Sequence, residues 1–333
     1  MMFEFAAALV EGGGYPMIGD ADDGMVLDLG TGGVDLRGML AAGARLFDRA
    51  DFARLSDGHT EWATWLTGVA EVAPNDALPA PRALLSRGFP ATGYYLLQSG
   101  TAGAADAISV VMDCAELGFG ALAAHGHADA LSIVLRVAGE DVLVDPGTYD
   151  YFTYPAWRAY YRSTPAHNTV TIDGVDQSMI SGPFMWATRA RTTCVEWSPS
   201  AGGGAIVGEH DGYTRLADPV VHRRRVELDG VTRRITLTDE LGAAGEHDIT
   251  IWFHFGEKCK VHVEGQAVRV AIAGHHVVMR LDSRLEVVAL PGRDAVGPGW
   301  VSRGYHVRAA APAVAARVRT RGRVTLATVI DVA

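Results

Sequence analysis

From Gly88 to the end, the sequence is a succession of short apolar runs separated by glycine, proline or aspartate, the pattern of strands joined by tight turns. No helical periodicity is found there, and neither is the repeat that a propeller or solenoid needs. We therefore predict a single antiparallel β-sandwich of about 240 residues. The predicted strands are Gly93–Leu97, Ala130–Val137, Val142–Val144, Asn168–Ile172, Arg225–Leu228, Arg234–Thr238, Ile249–Phe255, Val261–Val263, Ala267–Ile272, Val277–Leu281 and Thr325–Ile330.

The beginning of the chain has a different pattern, in which apolar residues recur at helical spacing between loops rich in glycine and aspartate. The spacing predicts a helix within 34–47 and a further helix that begins at Thr60. A polar linker with two prolines follows at 75–81. We therefore predict a helical segment over 1–86 and the sandwich over 87–333.

Composition excludes several classes of protein. The chain has 333 residues with a net charge of −10, so it lacks the positive field that holds nucleic acid. Its apolar runs are shorter than the roughly 20 residues of a membrane helix, and no membrane span is expected. Its first residues lack a basic stretch and are more typical of the tail of a helix than of a signal peptide. The three cysteines, which form no CxxC pair, indicate neither a disulfide framework nor a thiolate zinc site.

The densest group of residues with chemical potential lies around an HxH pair. His125 and His127 would project to one side if the backbone were extended there, and Asp145 and His167 could reach the same point. Two histidines and one carboxylate suit Zn²⁺, although such spacing also arises by chance. Gly126 between the histidines indicates crowding or an unusual backbone angle. From this ligand set alone, hydrolysis by zinc-bound water is one alternative.

The segment over 148–163 is rich in tyrosine, tryptophan and arginine. Its rings suit stacking on sugars, and its two arginines could clamp carboxylates. A tyrosine whose pKa is lowered by a neighbouring arginine is also a competent acid or base. The alternative is a crossover that packs in the core with only its hydroxyls at the surface.

Two further features favour structural roles. The segment Asp20–Gly24 mimics part of a calcium loop but lacks the distant bidentate glutamate, so a turn is favoured. His254 lies in an apolar strand and is interpreted as a core histidine. No P-loop, GxGxxG fingerprint or GxSxG elbow is found, which removes support for nucleotide and acyl-transfer chemistry.

Several motifs in order resemble the C-terminal domain of heparinase II/III-like polysaccharide lyases. These motifs are HGHADALS at 125–132, LVDPGTY at 143–149, WRAYYRSTPAHNTV at 157–170 and DGVDQ at 173–177. The resemblance covers about 88–330, and the stretch Tyr15–Gly24 is similar to the end of the family's α/α toroid. It implies an antiparallel β-sandwich that follows a toroid, with the active site in the cleft between them.

The resemblance also implies β-elimination on a uronate-containing glycan, which leaves a 4,5-unsaturated uronate. His127, Asp145 and His167 fall on the family's zinc ligands, where Zn²⁺ is mainly structural, and His125 falls on its active-site histidine. The implied catalytic tyrosine is Tyr154, followed by Tyr160 and Tyr161. The residues implied in substrate binding are Tyr149, Trp157, Arg158, Arg162 and Asn168.

Most of the toroid is missing from this sequence, together with the residues that it contributes to the family's active site. The expected partners are therefore an acidic polysaccharide and a toroid domain or partner chain, and the substrates in question are heparin, heparan sulfate, alginate or an exopolysaccharide. The alternative is a non-catalytic, zinc-containing sandwich that binds an acidic glycan or a partner domain. The family resemblance implies a periplasmic or secreted protein.

Overall fold

A computed structural model describes residues 2–21, 36–58, 61–68, 82–292 and 295–333. The predicted linker over 75–81 and the second half of the aspartate-rich segment, Asp22 to Gly24, lie outside the described residues. No helix in the described ranges is long and apolar enough to cross a membrane.

The helices are short and lie mainly in the first quarter of the chain. The two predicted there are confirmed as α2 and α4, and the first residues form α1. They are α1 (Met2–Glu11), α2 (Leu36–Phe47), α3 (Ala50–Ser56), α4 (Glu61–Thr67) and α5 (Pro155–Tyr161), with single 3₁₀ turns at Gly120–Leu122 and Thr164–Ala166.

All eleven predicted strands are present, with shifted ends in most cases, and others join them. The strands are β1 (Arg87–Phe89), β2 (Tyr94–Ser99), β3 (Ile108–Asp113), β4 (Ile133–Val137), β5 (Glu140–Leu143), β6 (Val170–Ile172), β7 (Ile180–Gly182), β8 (Met185–Trp186), β9 (Thr192–Ser200), β10 (Gly203–His210), β11 (Val221–Asp229), β12 (Arg234–Gly242), β13 (Glu246–His254), β14 (Lys260–Glu264), β15 (Ala267–Ile272), β16 (His275–Leu281), β17 (Glu286–Leu290), β18 (Trp300–Gly304), β19 (Val307–Ala310), β20 (Ala313–Arg321) and β21 (Val324–Val332).

Antiparallel pairing joins these strands into three large sheets and two hairpins, which confirms the predicted mainly-β class. The first sheet is a meander, β1-β2-β3-β4-β5. The second has eight strands in the order β14-β15-β16-β21-β12-β11-β10-β9, and the third has four in the order β17-β20-β13-β6. The hairpins are β7-β8 and β18-β19.

One continuous hydrophobic core is shared by the three large sheets. Strand β11 illustrates how a strand contributes to this core. Its buried and half-buried residues alternate along most of its length, as expected for a strand with one face in the core. The side chains of Val226 and Leu237, from neighbouring strands of the second sheet, are completely buried in this core together with Leu135 of the first and Ile251 of the third.

Helix α1 packs on the opposite side of the first sheet. Ala8 and Leu9 form a separate apolar cluster with Phe89, Leu96 and Val111 of the strands. The chain that follows α1 then reaches the loop of residue 125, where the backbone N–H of Asp20 donates to the His125 carbonyl at 2.9 Å.

The structure corrects one prediction about the sandwich, because helix α5 interrupts the strands. Pro155 occupies its first turn, where the missing N–H of proline is tolerated. Trp157, Tyr160 and Tyr161 of this helix are buried in an aromatic cluster with Tyr149. Helix α5 is therefore the core-packing crossover that the sequence left as an alternative, whereas Phe152 and Tyr154 of the same segment are exposed.

Candidate functional site

The HxH pair lies in a tight loop between the first 3₁₀ turn and β4. Gly126 is required there, because an added Cβ would lie 2.6 Å from the backbone nitrogen of Gly118. The expected crowding is thus confirmed, but the extended backbone is not. His125 has a φ of +63°, outside the extended region, and His127 is buried whereas His125 is exposed.

The structure brings the three predicted metal ligands together. His127 comes from this loop, Asp145 follows β5, and His167 follows the 3₁₀ turn Thr164–Ala166. Asp129, which the sequence analysis did not single out, joins them, and one ligand atom from each of the four lies within 4.8 Å of all the others. The spacing HxHxD was the available signal for this fourth residue.

Neighbouring hydrogen bonds determine which ring nitrogens carry protons. The Nδ1–H of His167 donates to the Ser163 carbonyl at 2.8 Å, so its Nε2 carries a lone pair and no proton. This Nε2 lies 3.1 Å from Nδ1 of His127 and 3.4 Å from a carboxylate oxygen of Asp145. The N–H at the other nitrogen of His127, Nε2, donates to the Asp20 carboxylate at 3.0 Å. Two imidazole lone pairs and a carboxyl oxygen therefore converge, an arrangement that fits a cation.

The electrostatics of the cluster agree with this donor set. Burial raises the pKa of Asp145 to about 8 and the pKa of Asp129 well above its usual range. Burial also lowers the pKa of His127 and lowers that of His167 still further, so both rings are held neutral. Neutral imidazoles and desolvated carboxyls are the groups that a bound divalent cation would stabilise.

A buried carboxylate that the sequence analysis assigned to a turn, Asp20, connects the cluster to the rim of the site. It accepts hydrogen bonds from His127, from His125 Nδ1 at 3.2 Å, and from both terminal nitrogens of Arg158. Burial alone would raise the pKa of Asp20, but the hydrogen bonds from His127 and Arg158 hold it well below the usual range. Gly19 allows this approach, because its added Cβ would lie 2.6 Å from the His125 carbonyl.

His125 is the exposed member of this group, with 56% of its side chain accessible. Because the Asp20 carboxylate accepts from Nδ1, the remaining nitrogen, Nε2, is free to meet a ligand. The imidazole lines a cavity of about 260 Å³. Asp113, Asp129 and Gln177 also line this cavity, which contains no lysine or arginine among its described lining residues.

The five residues implied in substrate binding lie inside the protein rather than on a binding surface. Tyr149 and Trp157 are buried in the aromatic cluster. Arg158 is paired with Asp20, and Arg162 donates to the carbonyls of Gly182 and Pro183. Asn168 donates to the carbonyls of Ile133 and Val144 and accepts from the backbone of His254. The polar groups of Arg158 and Asn168 thus have internal partners, whereas one terminal nitrogen of Arg162 has no hydrogen-bond partner within the described residues.

The three candidate tyrosines differ in their exposure. Tyr160 and Tyr161 are buried, and their hydroxyls lack hydrogen-bond partners within the described part of the chain. Burial raises the pKa of both phenols, the opposite of what a base requires. Tyr154, which is 46% exposed, is the one that a ligand can reach.

Comparison with known proteins agrees with the fold. The heparinase III BT4657 gene product superposes with a TM-score of 0.74 at 19% identity, over 100% of this chain and 46% of its own. Heparan sulfate lyase HepC from Pedobacter heparinus gives 0.70 at 16% identity, over 99% of this chain and 46% of its own. A further heparinase III gives 0.66 at 16% identity, over 99% and 47%. The chain thus spans about half the length of these proteins, and at such identities the likeness shows the fold alone.

No curated protein matches the sequence. The family model for the C-terminal domain of heparinase II/III-like proteins, however, matches residues 81–333, which contain every strand and the four clustered His and Asp residues. By this match the chain belongs to the heparinase II/III-like family.

Proposed function

We propose that this chain is the sandwich part of a polysaccharide lyase that cleaves an acidic, uronate-containing glycan by β-elimination. The observation that carries the proposal is the position of His125. It is an exposed imidazole at a cavity, and one buried carboxylate holds it next to a cluster of metal ligands. The relatives with solved structures include a heparan sulfate lyase, which supports a glycosaminoglycan as substrate, and alginate is the second candidate.

In this reaction a base removes the proton at C5 of the uronate. The electrons of the C5–H bond form the C4–C5 double bond, the bond from C4 to the glycosidic oxygen breaks, and that oxygen takes up a proton. Removal of the C5 proton requires that the neighbouring carboxylate be neutralised. Since Asp20 accepts from Nδ1 of His125, the imidazole can hold a proton on Nε2 and donate it to the uronate carboxylate or to the departing oxygen.

For the tyrosine we propose Tyr154, because its hydroxyl is accessible. We propose that Tyr160 and Tyr161 pack the aromatic cluster and do not transfer protons, given the burial of their hydroxyls.

We propose that the cluster binds Zn²⁺ through His127, Asp145 and His167, with Asp129 beside them. Two imidazoles and carboxylate oxygens are a ligand set that suits this ion. The bound ion would be mainly structural and would tie the loop of His127 to the segments that carry the other ligands.

Asp20 should tune this metal site without being a ligand. We expect Asp20→Asn to weaken zinc binding by about 10- to 100-fold while leaving about one zinc per chain at saturation, because the carboxylate orients His127 and fixes its tautomer. Competition with a chromophoric chelator measures this affinity.

The control for this variant is Asp106→Asn, since Asp106 is an aspartate whose carboxylate accepts from Thr101 in an exposed turn. It should leave the zinc affinity unchanged. An unaltered affinity in Asp20→Asn would contradict the role assigned to Asp20.

We propose that the helical segment over 1–86 is the end of a toroid and that the sandwich begins at residue 87. The support is an apolar surface on these helices, on which Leu46, Phe47, Trp65 and Leu66 are each more than half exposed. Contiguous exposed apolar residues mark surfaces that another protein segment covers. The proposed partner is therefore a further set of helices, on the same or another chain.

One observation favours a second candidate function, a zinc-containing sandwich that binds acidic glycan without turnover. The chain corresponds to 46% or 47% of its structural relatives, so their remaining residues have no counterpart in it. Groups that those residues would supply for turnover would come from other segments, on the same or another chain.

Ultraviolet absorbance of the unsaturated uronate tests both candidates. We expect the zinc-loaded chain, incubated with heparan sulfate or alginate, to show a rise that His125→Ala reduces at least 100-fold, the lower end of the range for loss of a general acid or base. Binding of the glycan without any rise would favour the second candidate. Neither a rise nor binding would reject both.

A further inference from the structure

Beside His125 lies a group of aromatic rings outside the buried aromatic cluster. The ring centroid of Phe184 is 5.3 Å from that of His125, 5.1 Å from Tyr151 and 5.5 Å from Phe152. We call Tyr151, Phe152 and Phe184 the aromatic platform. Phe152 is 67% exposed, and Tyr151 and Phe184 are half-buried.

The platform is held in place from the protein side. The guanidinium of Arg158 lies 5.0 Å from the ring centroids of both Tyr151 and Phe184, within the range of cation–π contacts. This guanidinium is itself buried and fixed by Asp20, and it also donates to the carbonyl of Pro183, which directly precedes Phe184. Phe184 is thus held at the turn between β7 and β8.

The exposure of Phe152 is not a consequence of a loose loop. The backbone N–H of Tyr151 donates to the Tyr305 hydroxyl at 3.1 Å, and that of Tyr154 donates to the Asp150 carboxylate at 2.6 Å. Asp150 is completely buried and also accepts from His306. The chain is therefore anchored on both sides of Phe152, and the ring is presented to solvent by a fixed backbone.

We propose that the aromatic platform stacks against the apolar face of a pyranose ring of the glycan, in the sugar unit next to the one that meets His125. This inference rests on the proposed function and adds to it a binding surface for the sugar chain. The electron-rich faces of aromatic rings attract the positively polarised C–H groups of a pyranose. Pre-ordered rings lose little conformational entropy when they bind.

A sugar is favoured over a protein segment as the occupant because of the surroundings. The platform is continuous with His125, the group proposed to meet the uronate, and the His125 imidazole can bond a sugar hydroxyl beside the rings. Among residues 36–58 and 61–68, which carry the apolar surface that we assign to a partner, no such pairing with a candidate catalytic group is found.

Affinity for heparan sulfate hexasaccharides, measured by calorimetry on the zinc-loaded chain, tests the proposal. We expect Phe152→Ala and Phe184→Ala each to weaken binding by about tenfold, the upper range for an aromatic contact. Phe184→Leu, which keeps the apolar volume but loses the ring, should weaken binding almost as much. Phe152→Trp should bind as well as the wild type. The control is Phe47→Ala, another exposed phenylalanine, which should leave the affinity unchanged.

Thermal melting of each variant identifies any loss that comes from misfolding, and Phe184→Leu then serves as the milder variant. Wild-type binding that the alanine variants leave unaltered would overturn the platform while the proposed function stood. Wild-type affinity in Phe184→Leu would overturn stacking. Self-association of the wild type that the alanine variants abolish, with unchanged glycan affinity, would identify a protein interface and overturn the proposal. No glycan binding by the wild type would reject it together with the proposed function.

Discussion

His127→Ala should remove the metal and, in zinc-saturated buffer, lower the free energy of unfolding by about 4 kcal/mol or more. His127 contributes one of the two converging imidazole lone pairs, and its ring is completely enclosed. A ligand present at about 1,000 times its dissociation constant stabilises the folded state by about 4.1 kcal/mol, and the variant loses that contribution. Zinc content by mass spectrometry and urea denaturation with and without zinc measure the two effects.

The control for this experiment is another buried histidine outside the cluster. His210 is buried and contacts His222 rather than a metal ligand. His210→Ala should therefore cost stability to the same extent with and without zinc and should retain about one zinc per chain. A wild type that is stable and free of metal after zinc loading, or a His127→Ala protein with full zinc content, would contradict the assigned site.

Arg224→Met should destabilise the protein by about 3–5 kcal/mol, whether or not zinc is present. Arg224 is completely buried and donates to both carboxylate oxygens of Asp239, at 2.7 and 3.0 Å. Its other terminal nitrogen donates to the carbonyls of Leu131 and Asn168. Methionine preserves much of the volume but leaves the carboxylate buried without its main counter-charge.

The destabilisation should depend on pH. Burial alone would raise the pKa of Asp239, but in the wild type Arg224 and His222 hold it well below the usual range. Without the arginine, the folded-state pKa should rise above the unfolded value of 3.8. The variant then loses stability as the pH rises from the unfolded pKa of Asp239 to its folded pKa. The difference in free energy of unfolding between the variant and the wild type should therefore shrink on acidification toward pH 4.

A second arginine ion pair provides a matched control. Arg323 lies 2.7 Å from Glu240 but is 73% exposed. Since exposed pairs contribute about 0–1 kcal/mol, Arg323→Met should change the free energy of unfolding by no more than that. Equal losses in the two variants, measured by urea denaturation, would show that burial does not decide the contribution of this contact.

The strands that the sequence revealed are those whose side chains follow an apolar pattern. β15 has the predicted bounds, Ala267–Ile272, because its residues alternate between the core and the opposite face. β20 was missed because it begins with Ala313, Val314, Ala315 and Ala316, and alanine has little intrinsic preference for strands. It lies between β13 and β17, so the fully buried position in the sheet, rather than local propensity, determines its conformation.

For a related reason, the sequence predicted some residues of the site and missed others. His127, Asp145 and His167 belong to short motifs, and the strands that the sequence indicated bring them together. The direction of a side chain in a crossover cannot be inferred in this way, and Trp157 and Arg158, which the resemblance implies in substrate binding, are buried. Asp20 was missed because its partners are more than 100 residues away in sequence.

The hydrogen bonds of Asp20 also determine where this protein can be divided. A cut at the predicted boundary between residues 86 and 87 would separate this carboxylate from His127 and Arg158, although it would cross no strand. The released sandwich would keep every proposed metal ligand but would contain a buried guanidinium without its counter-ion. The sandwich and the site therefore have different boundaries, because Asp20 belongs to the site but not to the sandwich. An excised sandwich would carry an altered site.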